Sequence, residues 1–184
     1  WSRFLAAMET AQSLHDIEQA YSWVKQAFSS IPISKPAFPL RVGVVGEYFT
    51  AVDGFSNHFL EQKIADMGVE VHRFMSVTNR NLRYHGKNLQ IGIQDYCCYE
   101  MGPTSTANIW AAKHYASHGF DGIIHIKSAD CTPEIDIMPV LQNISADYKI
   151  PVLYLSFDSQ TSDTGLETRL EAFYDMIRIR KEGK

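Results

Sequence analysis

Phe120-Asp121-Gly122-Ile123-Ile124-His125-Ile126-Lys127-Ser128-Ala129-Asp130-Cys131-Thr132-Pro133-Glu134 is a turn, a short apolar run and a polar bend in succession. Gly119 and Asp121-Gly122 supply the turn. The run behind it is short and nearly continuous in its apolar residues, the pattern of a strand buried within a parallel sheet. In open α/β sheets, ligands meet the chain beyond the carboxyl ends of the strands. Cys131, with Pro133 and Glu134 beside it, therefore falls where chemistry is expected.

Working outward, Leu40 to Phe49 is a β-branched run with two glycines, Val69 to Val77 alternates, and Ile150 to Phe157 is again apolar, with Pro151 at its start. Between these runs, helical spacing predicts His58 to Met67, with Ser56 or Asn57 as cap and Gly68 as stop. It also predicts a helix opened by Pro103 and running to Ser117, one from about Ile135 to Tyr148 with Pro139 near its first turn, and one over 165–180. Strand and helix alternate four times. That order predicts an α/β fold, a Rossmann- or flavodoxin-like doubly wound parallel sheet of about four strands. Gly43 and Gly46 allow close backbone approach, but no third glycine completes a dinucleotide fingerprint.

Residues 2–30 carry apolar side chains at helical spacing, broken near Ser13, and read as two helices whose aromatics serve packing. Three prolines within 31–39 end the helical pattern. The expected organisation is a helical extension with proline-rich linker over 1–39 and a Rossmann-like domain over 40–184. Residues 78–102 form a long polar connection with a short element near 89–95. The loops after residues 49, 77, 127 and 157 emerge at one sheet edge in this topology. Glu47, Asp53, Cys97, Cys98, Cys131, Glu134, Asp158 and Gln160 then come within reach of one another.

The 184 residues carry a net charge of −4 with a pI near 6.0, and no basic run interleaved with aromatics, which sets nucleic acid aside as a partner. The apolar segments are too short to span a bilayer, and the first residues lack the order of a signal peptide. Three cysteines do not build a secreted disulfide framework, so a cytoplasmic protein with reduced thiols or a metal site is expected. Trp1 stands where a start methionine would, as in a piece of a longer polypeptide.

Cys131 has three readings from chemistry alone: a metal or cluster ligand, a redox thiol or nucleophile, or a small buried residue. Cys97-Cys98 is a vicinal pair whose side chains diverge on regular backbone, which disfavours both binding one ion. His85 or His125 is available to complete a zinc set, although His125, between isoleucines, reads as a packing or hydrogen-bonded residue. Glu47 and Glu134 read equally as helix caps and as groups that orient a ligand or work as acid or base.

Several of these segments resemble, in order, the C-terminal domain of the 2-hydroxyacyl-CoA dehydratase and benzoyl-CoA reductase family, which also occurs in CoA-substrate-specific enzyme activases. They are Val44-Val45-Gly46-Glu47 with Asp53-Gly54-Phe55-Ser56-Asn57, Gly119 to His125 with the Cys131-Thr132-Pro133-Glu134 bend, Pro151 to Asp158, and Thr164 to Phe173. The resemblance covers about residues 40–180. It implies an iron–sulfur protein in which a 4Fe-4S cluster lies between two Rossmann-like domains, with two cysteines from the preceding domain and Cys131 from this one. It further implies an ATP-hydrolysing activator as electron donor, a CoA thioester substrate and radical dehydration or reduction. Glu47, Asp53, Glu134 and Asp158 are then candidates for the substrate pocket, and Cys97 or Cys98 for a substitute ligand. A fragment without the preceding domain is expected to hold no complete cluster and to be inactive. Lys127-Ser128-Ala129-Asp130 departs from the proline-phenylalanine-glycine run of many members. Two alternatives from other classes are a non-catalytic interaction or regulatory module and a thiol redox switch at Cys97 or Cys98.

Overall fold

A computed structural model describes residues 1–34, 38–76, 79 and 86–183. The chain divides into two compact units, Trp1–Ala37 and Phe38–Lys184. Most of the proline-rich stretch is described, while residues 35–37 fall outside the described set, as does the candidate ligand His85.

The first unit is a pair of helices, α1 (Ser2–Thr10) and α2 (Leu14–Ser29). They part at Ser13, as the sequence predicts, for a local reason. The Ser13 hydroxyl accepts the Asp16 N–H at 3.2 Å, and the Asp16 carboxylate accepts the Ser13 N–H at 2.9 Å, a reciprocal capping box. Among its described apolar side chains only Ala20 is buried, and Trp1, Leu14 and Phe28 are exposed.

The second unit contains β1 (Arg41–Gly46), α3 (Tyr48–Val52), α4 (Leu60–Asp66), β2 (Glu70–Arg73) and α5 (Gly86–Gly92). These are followed by α6 (Pro103–Ser117), β3 (Gly122–Ser128), α7 (Thr132–Tyr148), β4 (Val152–Phe157) and α8 (Asp163–Glu182). The four strands pair in parallel in the order β2-β1-β3-β4, the α/β architecture expected. Both faces of the sheet are covered. Gly43 leaves room for Tyr115 of α6, which would stand 2.1 Å from an added Cβ, while Gly122 faces Phe173 and Ile177 of α8. Since Gly43 pairs with Ile123, the residues Ile123, His125 and Lys127 share the α6 face, and Ile124 and Ile126 point to the α8 side. Ile123, Ile124 and Ile126 are fully buried, and each contributes roughly 1.5–3 kcal/mol of apolar transfer energy.

Strand β2 is shorter than the alternating run Val69 to Val77 that predicts it, and three other boundaries differ from the sequence reading because of local chemistry. Strand β1 stops at Gly46, because both Glu47 carboxylate oxygens accept amide hydrogens, from Phe49 at 2.9 Å and Thr50 at 2.7 Å, and so cap the short α3. Helix α4 begins at Leu60 and not at His58, because His58 and Phe59 are left-handed, with φ of 54° and 55°. Neither expected residue occupies the cap position, which is Phe59; Asn57 contributes from two residues earlier, its Oδ1 accepting the Leu60 N–H at 3.1 Å. Helix α7 begins at Thr132, not near Ile135, so Pro133 lies in its first turn, where an absent N–H costs nothing, and Pro139 lies inside the helix on an exposed position. The short element expected at 89–95 is α5, at Gly86–Gly92. Among the described residues, no helix is long and apolar enough to cross a membrane.

Candidate functional site

The order β2-β1-β3-β4 reverses direction between β1 and β3, and the crevice beyond their carboxyl ends is the place where such sheets bind ligands. Two backbone segments form it. From β1, Glu47 leaves the sheet with its N–H still bonded to the Ile126 carbonyl of β3 at 2.9 Å. From β3, the chain bends through Ser128-Ala129-Asp130 to Cys131, the residue that precedes α7.

That bend is pinned several times. The Ala129 N–H donates to Phe157 O at 2.9 Å, and the Cys131 N–H donates to Ser128 O at 3.2 Å. Lys127, buried although charged, donates from Nζ to the same Ser128 oxygen at 3.2 Å and to Ala129 O at 2.7 Å. The Cys131 carbonyl then accepts from the Glu134 and Ile135 amides at 3.2 and 3.1 Å, the first hydrogen bonds of α7. Cys131 is thus fixed at a helix start on the carboxyl-end rim, and it is partly exposed.

Burial pushes the Cys131 thiol above its ordinary pKa. The Glu134 amide opposes that effect, the Glu134 and Glu47 carboxylates add to it, and Lys127 offsets them in part. A thiol held in its neutral form is a poor nucleophile by itself. A bound metal would remove the proton as it bound.

The acidic candidates part company. Glu47 and Asp158 come together on a cavity of about 400 Å³, with Phe49, Thr50, Ser56, Ser128 and Phe157 as its other lining residues. Burial raises the Glu47 carboxyl, but hydrogen bonds from the Thr50 hydroxyl, the Thr50 amide and the Phe49 amide outweigh that and hold it below its ordinary pKa. Asp158 is exposed and accepts from the Gln160 N–H at 2.8 Å and the Thr161 hydroxyl at 3.1 Å. Asp53 caps its own turn, its carboxylate accepting the Ser56 amide at 2.8 Å and hydroxyl at 2.5 Å, and through Ser56 it shapes one cavity wall.

Glu134 turns inward. It is 1% exposed, with His125 Nε2 at 2.9 Å from Oε2 and Asn108 Nδ2 donating to Oε1 at 2.9 Å. His125 is therefore the hydrogen-bonded residue that its setting between isoleucines predicts. Asn108 and Lys127 are the contributors that sequence reasoning passes over. An asparagine among Ala107 and Ile109 in a helix buried nearly all round is the signal that points to the first.

The other cysteines stand elsewhere in the chain's architecture. Cys97 is buried after α5, its N–H bonded to Ile93 O at 2.8 Å, and Cys98 is exposed. Among the described residues, no three of the His, Cys, Asp and Glu side chains assemble into a group able to hold a metal ion. The donor chemistry at the rim is one soft thiol on a pinned bend.

Residues 90–177 match the family model described as HGD-D: 2-hydroxyglutaryl-CoA dehydratase, D-component. No curated protein matches the chain. The matched segment holds α6, β3, the Cys131 bend, α7, β4 and most of α8, whereas β1, α3, α4 and β2 precede it. Over residues 90–177, the chain is therefore similar to the 2-hydroxyglutaryl-CoA dehydratase D-component family, one of the 2-hydroxyacyl-CoA dehydratases.

Proposed function

We propose that the chain acts as a domain of a dehydratase component that presents one thiolate, Cys131, to a 4Fe-4S cluster completed by cysteines of an adjoining domain. When bound, such a cluster supplies low-potential single electrons for radical dehydration or reduction of a CoA thioester, recharged by an ATP-hydrolysing activator. The observation that carries this reading is the position of Cys131: partly exposed, at the start of α7, on the rim where β1 and β3 diverge.

The roles of this chain's own residues follow. Lys127 and the Ser128 carbonyl hold the bend, so the sulfur is presented without a search through loop conformations. Glu47 and Asp158, facing a cavity next to that bend, are the groups available to meet polar atoms of an acyl-CoA. The raised pKa of Cys131 speaks against its reading as a redox thiol or nucleophile, because either role needs a thiolate at rest. Three unpaired cysteines fit a reducing, cytoplasmic setting.

Anaerobic reconstitution of the full-length protein with iron and sulfide tests the proposal. Wild-type protein should develop the broad visible absorption of a thiolate-bound cluster, and Cys131→Ala should lose it or hold substoichiometric iron. Retention of the full spectrum in Cys131→Ala, or none in the wild type, would leave an interaction module on the same fold.

A further inference from the structure

The buried polar contacts behind Cys131 join four elements that no apolar packing would fix as uniquely. Asn108, midway along α6, accepts the Gly46 N–H at 3.1 Å and donates to the Gly46 carbonyl at 2.8 Å, so it clamps the last residue of β1 at both backbone groups. The same side-chain amide reaches Glu134 in the first turn of α7, and Glu134 reaches His125 in the middle of β3. Asn108 and His125 are completely buried. A second fastening runs from the Ser105 hydroxyl of α6 to the Pro133 carbonyl at 3.4 Å.

Burying such a set costs desolvation that an apolar core of the same volume would avoid, so stability alone gives little reason for it. Position gives a better one. Gly46 immediately precedes Glu47, and Glu134 lies three residues beyond Cys131, so the network ties the two lips of the crevice together from beneath. Each member of the chain Gly46–Asn108–Glu134–His125 sits on a regular element, where rotamers are locked by packing.

We propose that Asn108, Glu134 and His125 are positioning residues for Cys131: they lock the first turn of α7 against the end of β1 and so set the exposure and direction of the thiol. The importance of that setting rests on Cys131 being a ligand, but the locking itself does not.

The three cysteines provide the test without iron. The native full-length protein is treated with N-ethylmaleimide, and labelling of each cysteine is followed by peptide mass spectrometry, for wild type, Glu134→Gln, His125→Leu and His125→Gln. Exposed Cys98 is the solvent reference and core Cys97 reports global opening. With the lock broken, the Cys131-to-Cys98 rate ratio should rise roughly tenfold in Glu134→Gln and His125→Leu, the loss of one buried hydrogen bond, while Cys97 stays unlabelled. The glutamine variant of His125 keeps a donor for Glu134 and should stay within about twofold of wild type. If Glu134→Gln does not fold, the two His125 variants decide. An unchanged ratio overturns the proposal, and so does Cys97 labelling that rises in step with Cys131. Iron reconstitution plays no part in this readout, so a failure here and a failure of ligation are told apart.

Discussion

Gly46 and Ile126 approach so closely that a Cβ on Gly46 would stand 1.8 Å from the Ile126 carbonyl oxygen, in a residue whose φ of 149° already favours glycine. The contact is the point where β1 and β3 are about to separate, and the next residue, Glu47, spends its N–H on that same oxygen. Gly46→Ala must therefore push the strands apart or twist the chain. It should destabilise the protein by about 3 kcal/mol or more, or leave it unfolded, as read by chemical denaturation.

Glu47 makes stability depend on acid. Its carboxyl is held below its ordinary pKa of 4.5 by the Thr50 and Phe49 hydrogen bonds, against the pull of burial. A depressed folded-state pKa gives stability that is present above the unfolded value and is lost as pH falls through the folded one. Glu47→Gln should thus be less stable than wild type at neutral pH. The gap should narrow once the pH drops below the usual carboxylate range, as measured by urea midpoints across that window.

His114 acts in the opposite chemical sense with the same outward sign. Burial lowers its pKa from 6.5, and His118, Arg41 and His72 add repulsion to the charged ring, which stacks on Trp110 with centroids 5.0 Å apart. The unfolded chain then binds a proton before the folded one does, so stability falls as pH drops from 6.5 toward the folded value and levels off below it. His114→Gln should lose that component, and the wild-type-minus-variant difference between about pH 7.5 and about pH 5.5 isolates it from other titrating groups.

Cys97 and Cys98 should behave unlike each other. Cys97→Ser places a hydroxyl among core side chains and should cost about 1–2 kcal/mol, whereas Cys98→Ser, at an exposed position, should stay within about 0.5 kcal/mol of wild type. Under the proposed function, neither change abolishes cluster assembly while Cys131 is intact. Paired denaturation and iron-content measurements check both statements.

The sheet is legible in the sequence because buried parallel strands are written as local apolar runs: Val42 to Val45, Gly122 to Lys127 and Val152 to Phe157 announce themselves without partners. Helix starts are less legible where a cap decides them. The α3 helix exists because Glu47 folds back onto two amides, and Glu47-Tyr48-Phe49 carries no helical period that would reveal it. The rim cysteine is legible from its place after a strand. The network beneath it is not: Gly46, His125 and Glu134 each carry a separate reading in the sequence, and only the convergence of β1, α6, β3 and α7 on Asn108 joins them.

The segment that carries the family likeness starts at residue 90, yet β3 inside it pairs over Gly122–Ile126 with β1, which closes at residue 46. A peptide of residues 90–177 would present β3 as a naked, isoleucine-rich border with an unfilled row of amides and carbonyls, inviting intermolecular pairing. The segment matched by the family model is thus smaller than the compact unit Phe38–Lys184 to which it belongs. The chain must wait for roughly eighty residues to be made after β1 before its central seam can close, which makes folding of this domain a matter of long-distance encounter more than of local nucleation.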